Sequence, residues 1–291
     1  MKLATFETQG RRRIGVVDGQ EIVDLAAAAP ELPTEMKAFL AAGEPALARA
    51  GEALRASRAR LPLSPELLCA PIQEPQKFLG VGLNYADHIG ETGAKRPDFP
   101  TFFNKQSSCV NAPFGAIELP PGGGFTDYEG ELALVIGRSC RRVPRARAHE
   151  VIAGYAIVND VSVRDWQRRA PTMTLGKSWD THGPMGPWIV TRDEVPDPHG
   201  LELKTWVNGE PRQHASTKLL IFDCFQLVET LSTVCTLLPG DVISTGTPAG
   251  VGVAMKPPRF LAAGDVVRIE ISGLGAIENR VTASPSDLPV L

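Results

Sequence analysis

Thr126-Asp127-Tyr128-Glu129-Gly130-Glu131-Leu132-Ala133-Leu134-Val135-Ile136 is the stretch from which the rest of the chain can be read. Its second half is an unbroken apolar run, read as a strand. Residues two apart on a strand point to the same side, so Glu129 and Glu131 project together. Two carboxylates held side by side repel unless something positive lies between them. The run Gly154-Tyr155-Ala156-Ile157-Val158-Asn159-Asp160 is a second strand ending in an acid, and an acid inside an apolar run needs a partner. Glu129, Glu131 and Asp160 are therefore candidate metal ligands. Hard oxygen donors with no Cys or His beside them suit Mg2+ or Mn2+, with waters completing the shell, whereas zinc favours nitrogen and sulfur. Taken alone, E-x-E on a strand also fits an acid solvated at a sheet edge.

Around this stretch the chain reads as short strands divided by turns. Leu201 to Val207 runs into Asn208-Gly209, the strongest hairpin dipeptide present, and Asp241 to Ser244 and Val266 to Ser272 are further strands. Helical patches are few, at Asp165 to Arg169 and Phe222 to Leu238. Twenty-five prolines and twenty-eight glycines supply turns on the scale such a fold needs. The expected class is α+β and β-rich, with a rolled rather than doubly wound sheet. Residues 1–70 read as a small N-terminal α/β domain. It has a hairpin at Asp18-Gly19, a helix from about Glu35 capped by Thr34, and a further helix from Ala46 to Arg60. Pro71 and Pro75 mark a linker, and 71–291 form the expected catalytic domain.

Composition removes several classes of function. With 291 residues, 43% hydrophobic and 22% charged, the chain can fill a core and is not a disordered segment. A net charge of −3 offers no broad basic face for nucleic acid. No apolar run approaches the roughly 20 residues a membrane span requires, and the first residues lack the form of a signal peptide. Five scattered cysteines without a C-x-x-C pair fit free thiols in a reducing cytoplasm.

Three further segments carry polar residues set among turn formers. In Gly80-Val81-Gly82-Leu83-Asn84-Tyr85-Ala86-Asp87-His88-Ile89-Gly90-Glu91 the third glycine of a dinucleotide loop is misplaced, so that reading is rejected. His88 and Glu91 are three apart and share a face if the segment is helical; a carboxylate behind an imidazole fixes its tautomer and raises its basicity. Lys177 lies among Gly, Trp and Pro, where it is a loop charge or a cation for a substrate oxygen. Ser244-Thr245-Gly246-Thr247-Pro248 presents hydroxyls and amides that either clamp a carboxylate or form an ordinary turn.

In order along 77–281, six motifs together resemble the fumarylacetoacetate hydrolase family. They are Gly82-Leu83-Asn84-Tyr85 with His88 and Glu91; Tyr128-Glu129-Gly130-Glu131-Leu132; Asn159-Asp160-Val161-Ser162 with Arg164, Asp165 and Gln167; Gly176-Lys177-Ser178; Gly183-Pro184-Met185-Gly186-Pro187; and Asp241-Val242-Ile243-Ser244-Thr245-Gly246-Thr247-Pro248. The resemblance implies that Glu129, Glu131 and Asp160 bind Mg2+ or Mn2+. It implies that His88 and Glu91 form a water-activating dyad on a lid helix, and that Lys177 contacts a substrate oxygen. It sets Arg164, Gln167 and Thr247 against the substrate. It also implies a roll of mixed β-sheets behind the small N-terminal domain, assembled as a homodimer. Val81 stands where the founding enzyme has a fourth carboxylate, so the resemblance is to the smaller, three-carboxylate branch. That branch spans acylpyruvate hydrolases, oxaloacetate-type decarboxylases and isomerases of aromatic-acid breakdown. The expected activity is hydrolysis of a C–C bond in an acylpyruvate-like 2,4-dioxo acid through a metal-stabilised pyruvate enolate. The alternative is a decarboxylase or isomerase of a 2-oxo diacid, served by an inward-facing Lys105, Arg164 or Arg169. Either way the partner is a small 2-oxo acid, not a nucleic acid or a membrane.

Overall fold

The apolar stretch Leu132–Ile136 becomes the middle of a large mixed sheet in a computed structural model that describes residues 1–122 and 124–284. The last seven positions of the expected 71–291 segment lie outside the described residues. We label the strands in chain order: β1 (Lys2–Thr8), β2 (Arg11–Asp18), β3 (Glu21–Asp24), β4 (Arg60–Pro62), β5 (Phe78–Gly82), β6 (Thr101–Lys105), β7 (Gly130–Ile136), β8 (Ile152–Asn159), β9 (Gly183–Thr191), β10 (Glu202–Val207), β11 (Glu210–Ser216), β12 (Val242–Ser244), β13 (Val266–Ile271) and β14 (Gly275–Thr282). The main path runs β4-β3-β2-β1-β9-β8-β7-β12-β5-β6, within a sheet of twelve strands among the described residues. β12 and β5 pair in parallel and the other neighbours on that path are antiparallel. A second sheet, β11-β10-β13-β14, has Ile117–Glu118 beside β14. This is the β-rich α+β architecture that the turn-dense sequence requires.

Alternation along β7 divides the core. Leu132, Leu134 and Ile136 join Leu203, Ile269 and Ile277 of the second sheet, along with Leu227 and Leu231 of the helix Cys224–Val234. Ala133 and Val135 instead join Leu3, Val16, Phe39 and Ala50 from the N-terminal segment. All seven residues of β7 are buried, which explains why the strand reads as a continuous apolar run rather than an alternating one. The N-terminal strands extend the same sheet: β1 pairs with β9 at Lys2↔Val190 and Leu3↔Ile189.

Local signals were followed with small shifts. The Asp18 hairpin forms, and Asn208 and Gly209 both take positive φ in the β10–β11 turn. Asp223 caps Cys224–Val234 by accepting from the Phe225 and Gln226 amides. Thr34 is not a cap; the helix starts at Met36 after an extended Glu35 that makes no side-chain capping bond. The second N-terminal helix is Gly43–Ala56, and it stops before Arg60 because that residue belongs to β4. Among the described residues no helix is long and apolar enough to cross a membrane.

Candidate active site

Glu129 directly precedes β7, Glu131 is its second residue, and Asp160 directly follows β8. Antiparallel pairing of Gly130 with Asn159, and of the Asp160 amide with the Glu129 carbonyl, draws the three acids together. One carboxylate oxygen from each lies within 4.8 Å of the others, and all three residues are buried.

Three buried cations meet them. Lys177 Nζ donates to Glu129 Oε2 and Asp160 Oδ2, each at 2.7 Å, and stands 4.9 Å from the centroid of the Phe103 ring. Lys105 Nζ donates to Asp160 Oδ1 at 2.7 Å and to the carbonyls of Lys177 and His182. Arg164 reaches Glu129 Oε1 at 2.6 Å through Nη1, while its Nε and Nη2 bind Asp127 Oδ2 at 2.9 and 2.8 Å. Asp127 also accepts the backbone amides of Tyr128, Gly252 and Val253, a well-satisfied buried carboxylate. Gly176 permits the Lys177 placement, because a Cβ there would sit 2.3 Å from the backbone nitrogen of Gln167.

Charge is distributed unevenly across this centre. Burial alone would lift the Glu129 carboxyl, but Lys177 and Arg164 outweigh it and hold it well below the usual range. Among the described residues Glu131 has no cation at hydrogen-bond distance; its Oε2 accepts from Ser244 Oγ at 2.6 Å and the Gly246 amide at 2.8 Å. Burial first, and the charges of Asp160 and Glu129 second, push its carboxyl well above the ordinary value. Burial opposes the charge on Lys105 and on Arg164, yet the adjoining carboxylates keep both firmly protonated. With all four carboxylates (Asp127, Glu129, Glu131, Asp160) ionised against three cations (Lys105, Arg164, Lys177), the centre would carry one negative charge in excess, and it is this charge that the raised Glu131 carboxyl resists. A divalent cation fits this set: the donors are hard oxygens within reach of one ion, and its charge would reverse the excess to +1.

Above the acids opens a cavity of about 240 Å³. Of the residues singled out from sequence, His88, Glu129, Glu131, Arg164, Gln167, Lys177 and Thr247 line it. Asp160 and Glu91 stand behind that lining. His88 lies on the helix Ala86–Thr92, with Nδ1 3.2 Å from Glu91 Oε2. Glu91 Oε1 accepts the Gly250 amide at 2.9 Å, and Tyr128 OH donates to the Gly250 carbonyl at 2.8 Å. This bonding leaves His88 Nε2 without a protein partner among the described residues. Gly250 has φ +108, and a Cβ on it would come within 1.9 Å of the Arg212 carbonyl, so this anchor excludes a side chain. Thr247 Oγ1 donates to the Gly130 carbonyl and accepts from Gln213 Nε2, which fixes its rotamer.

The three basic residues offered for a second substrate carboxylate end in different places. Lys105 is consumed by Asp160 and Arg164 by Asp127 and Glu129, while Arg169 lies outside, stacked 3.9 Å from the Trp166 ring centroid. Sequence reasoning passed over Asp127 and Asn84, whose side chain ties the Thr245 and Phe222 backbones together. It left open whether Lys105 points inward, although Lys105 lies two residues beyond Phe103 on one strand and so shares its inward face.

Comparison with known proteins agrees with this geometry. The family described as fumarylacetoacetate (FAA) hydrolase C-terminal matches residues 77–282. The fold is similar to that of a fumarylacetoacetate hydrolase from psychrophilic Exiguobacterium antarcticum, at 39% identity and a TM-score of 0.86, covering 97% of this chain and 99% of that one. Maleylpyruvate hydrolase from Sphingobium sp. SYK-6, solved in complex with manganese(II) ion and pyruvate, is similar at 34% identity and a TM-score of 0.81, covering 98% and 100%. The 2-hydroxyhepta-2,4-diene-1,7-dioate isomerase from Mycobacterium marinum is similar at 36% identity and a TM-score of 0.78, covering 97% and 98%.

Proposed function

The chain belongs to the fumarylacetoacetate hydrolase family, and on that premise we propose that it hydrolyses a carbon–carbon bond in an acylpyruvate-like 2,4-dioxo acid. The observation that carries this reading is the His88–Glu91 pair, set over the same cavity as the acidic cluster and Lys177. Held by Glu129, Glu131 and Asp160, a Mg2+ or Mn2+ ion would supply Lewis-acid polarisation of the 2-oxo acid. The chain's own groups account for the remaining work. Glu91 accepts from Nδ1–H of His88 and so leaves Nε2 as the base that takes a proton from water. That water adds to the C4 carbonyl, the C3–C4 bond breaks, and the bonding pair moves toward the 2-oxo oxygen. Lys177 Nζ, already fixed between two carboxylates, donates to that oxygen as its charge develops. C3 then takes up a proton, giving pyruvate and a carboxylic acid.

The similarity to an isomerase favours a second reading, decarboxylation or isomerisation of a 2-oxo diacid, which would use the same cationic centre without an attacking water. His88→Ala separates the two. With Mn2+ or Mg2+ present, hydrolysis of acetylpyruvate should fall by about a hundredfold or more, the usual size of a lost general base. Unchanged hydrolysis in that variant rejects the water-activating role. Oxaloacetate and the hepta-2,4-diene-1,7-dioate, assayed alongside, test the second reading directly.

A further inference from the structure

Met173 is one of the few non-glycine residues with positive φ, at +58, immediately before the short helix Thr174–Lys177. Left-handed backbone disfavours a side chain, so glycine or asparagine would fill this position more easily. The conformation is held by the turn around it: the Met173 amide donates to the Ala170 carbonyl, and the Gly176 amide donates to the Met173 carbonyl. The side chain that results bridges a gap. Its sulfur accepts from Gln167 Nε2 at 3.6 Å, and its methyl lies 3.6 Å from where a Cβ on Gly82 would be.

Two spaces meet at this bridge. On the inner side is the cavity over the acids, where Val81, Leu83, Phe103 and Met173 form an apolar wall. Both cations that line that cavity, Arg164 and Lys177, are already bound to carboxylates. On the outer side is an open hollow to which Gln167 and Met173 also contribute, bordered by the exposed Arg168 and Arg169. A substrate carboxylate pressed against the inner wall would be desolvated without a partner. One that reached the hollow would come beside Arg168 and Arg169, the latter over the Trp166 ring and 4.0 Å from the Asp165 carboxylate.

We propose that Met173 is the specificity-determining residue of this site, closing the cavity so that it takes 2-oxo acids with a short uncharged arm and rejects those whose arm ends in a second carboxylate. This rests on the reading of the site as an acylpyruvate hydrolase and narrows its substrate class.

The test compares wild type with Met173→Ala, using Met173→Gly as a second variant that the left-handed backbone accepts. Binding is measured by calorimetry in Mn2+ with 2-oxohexanoate and 2-oxoadipate, which differ chiefly in the terminal carboxylate. Hydrolysis is measured with acetylpyruvate and fumarylpyruvate. Wild type should favour the uncharged member of each pair by at least about tenfold, the discrimination a closed apolar wall provides. Both variants should shift that ratio toward the diacid by at least about tenfold, chiefly through KM, and adding Arg168→Ala and Arg169→Ala should remove the gain. A ratio unchanged in both folded variants, or a wild type that already prefers diacids, overturns the role of Met173 while hydrolysis stands. Selective binding of 2-oxohexanoate without turnover of any 2,4-dioxo acid supports the wall and instead defeats the proposed reaction.

Discussion

The floor and the rim of the cavity are built by different means. The floor consists of Glu129, Glu131 and Asp160 on two central strands, with Lys105, Lys177 and Arg164 bonded between them. Each of these side chains is buried; sheet register places the three acids and Lys105, while Arg164 and Lys177 come from two short helices packed beside them. The rim consists of a seven-residue helix without a side-chain cap, the turn at Met173 and the loop around Gly250. Within it Glu91 accepts the Gly250 amide; Tyr128, which donates to the Gly250 carbonyl, and Asp127, which accepts the Gly252 and Val253 amides, tie that loop down. Local stability follows the density of buried contacts, so the floor should persist through openings that release the rim. On the proposed reading, charge handling falls to the floor, and the choice of substrate and of water falls to the rim.

The largest effect should come from breaking the floor. Lys177→Met leaves Glu129 and Asp160 each short of a buried ion-pair partner, a change that typically costs about 3–5 kcal/mol. Urea unfolding in the presence of a chelator measures it. Stability equal to wild type would mean that the lysine is not what fixes the floor. Partial recovery on adding Mn2+ is expected if the three acids share an ion.

Slightly smaller is a pH effect beneath the floor. The buried imidazole of His182 has Nε2 2.8 Å from the Glu118 carbonyl, and its own carbonyl accepts from Lys105. Burial lowers its pKa to about 4 from 6.5, so it is neutral when folded. Below pH 6.5 the unfolded chain binds a proton that the folded chain refuses. Its stabilising contribution is therefore complete above about 6.5, declines as pH falls toward 4, and is flat below that. The difference amounts to roughly 3 kcal/mol. His182→Gln should flatten this part of the stability–pH curve, which urea midpoints at pH 7.5 and 4.5 would reveal. Parallel curves for the two proteins would show that the imidazole is protonated in the folded state.

Legibility in the sequence followed the same division. Period-two alternation was enough to place Glu129 beside Glu131, and an acid ending an apolar run marked Asp160. The class of fold was legible too, because β7 is apolar throughout and hairpin dipeptides punctuate the chain. What could not be read was long-range pairing. Asp127 looks no different from its neighbours until Arg164, 37 residues on, folds against it. Nothing local in Lys2-Leu3 announces Ile189-Val190 as its strand partner. In the rim the His88–Glu91 pair was legible from its spacing, whereas the contact of Met173 with Gly82 was not, because it depends on a backbone angle and on the absence of a side chain at Gly82.

The smallest effect, and the most discriminating, concerns bonding within the rim. Glu91 uses both carboxylate oxygens, one for the Gly250 amide and one for His88 Nδ1. In Glu91→Gln the Gly250 N–H can only donate, so it pairs with the amide oxygen and turns the new NH2 toward His88. Nδ1 must then accept, which moves the ring proton to Nε2 and takes away the base without removing the imidazole. Hydrolysis of an acylpyruvate should fall by about a hundredfold in kcat, or roughly 2.7 kcal/mol, with KM changed little. Stability should barely move, because both hydrogen bonds persist with their direction altered at one end. An NMR measurement of the His88 tautomer checks the cause separately from the rate. If Nε2 carries the proton and hydrolysis is nonetheless undiminished, water is activated elsewhere, and the rim serves only to enclose what the floor already does.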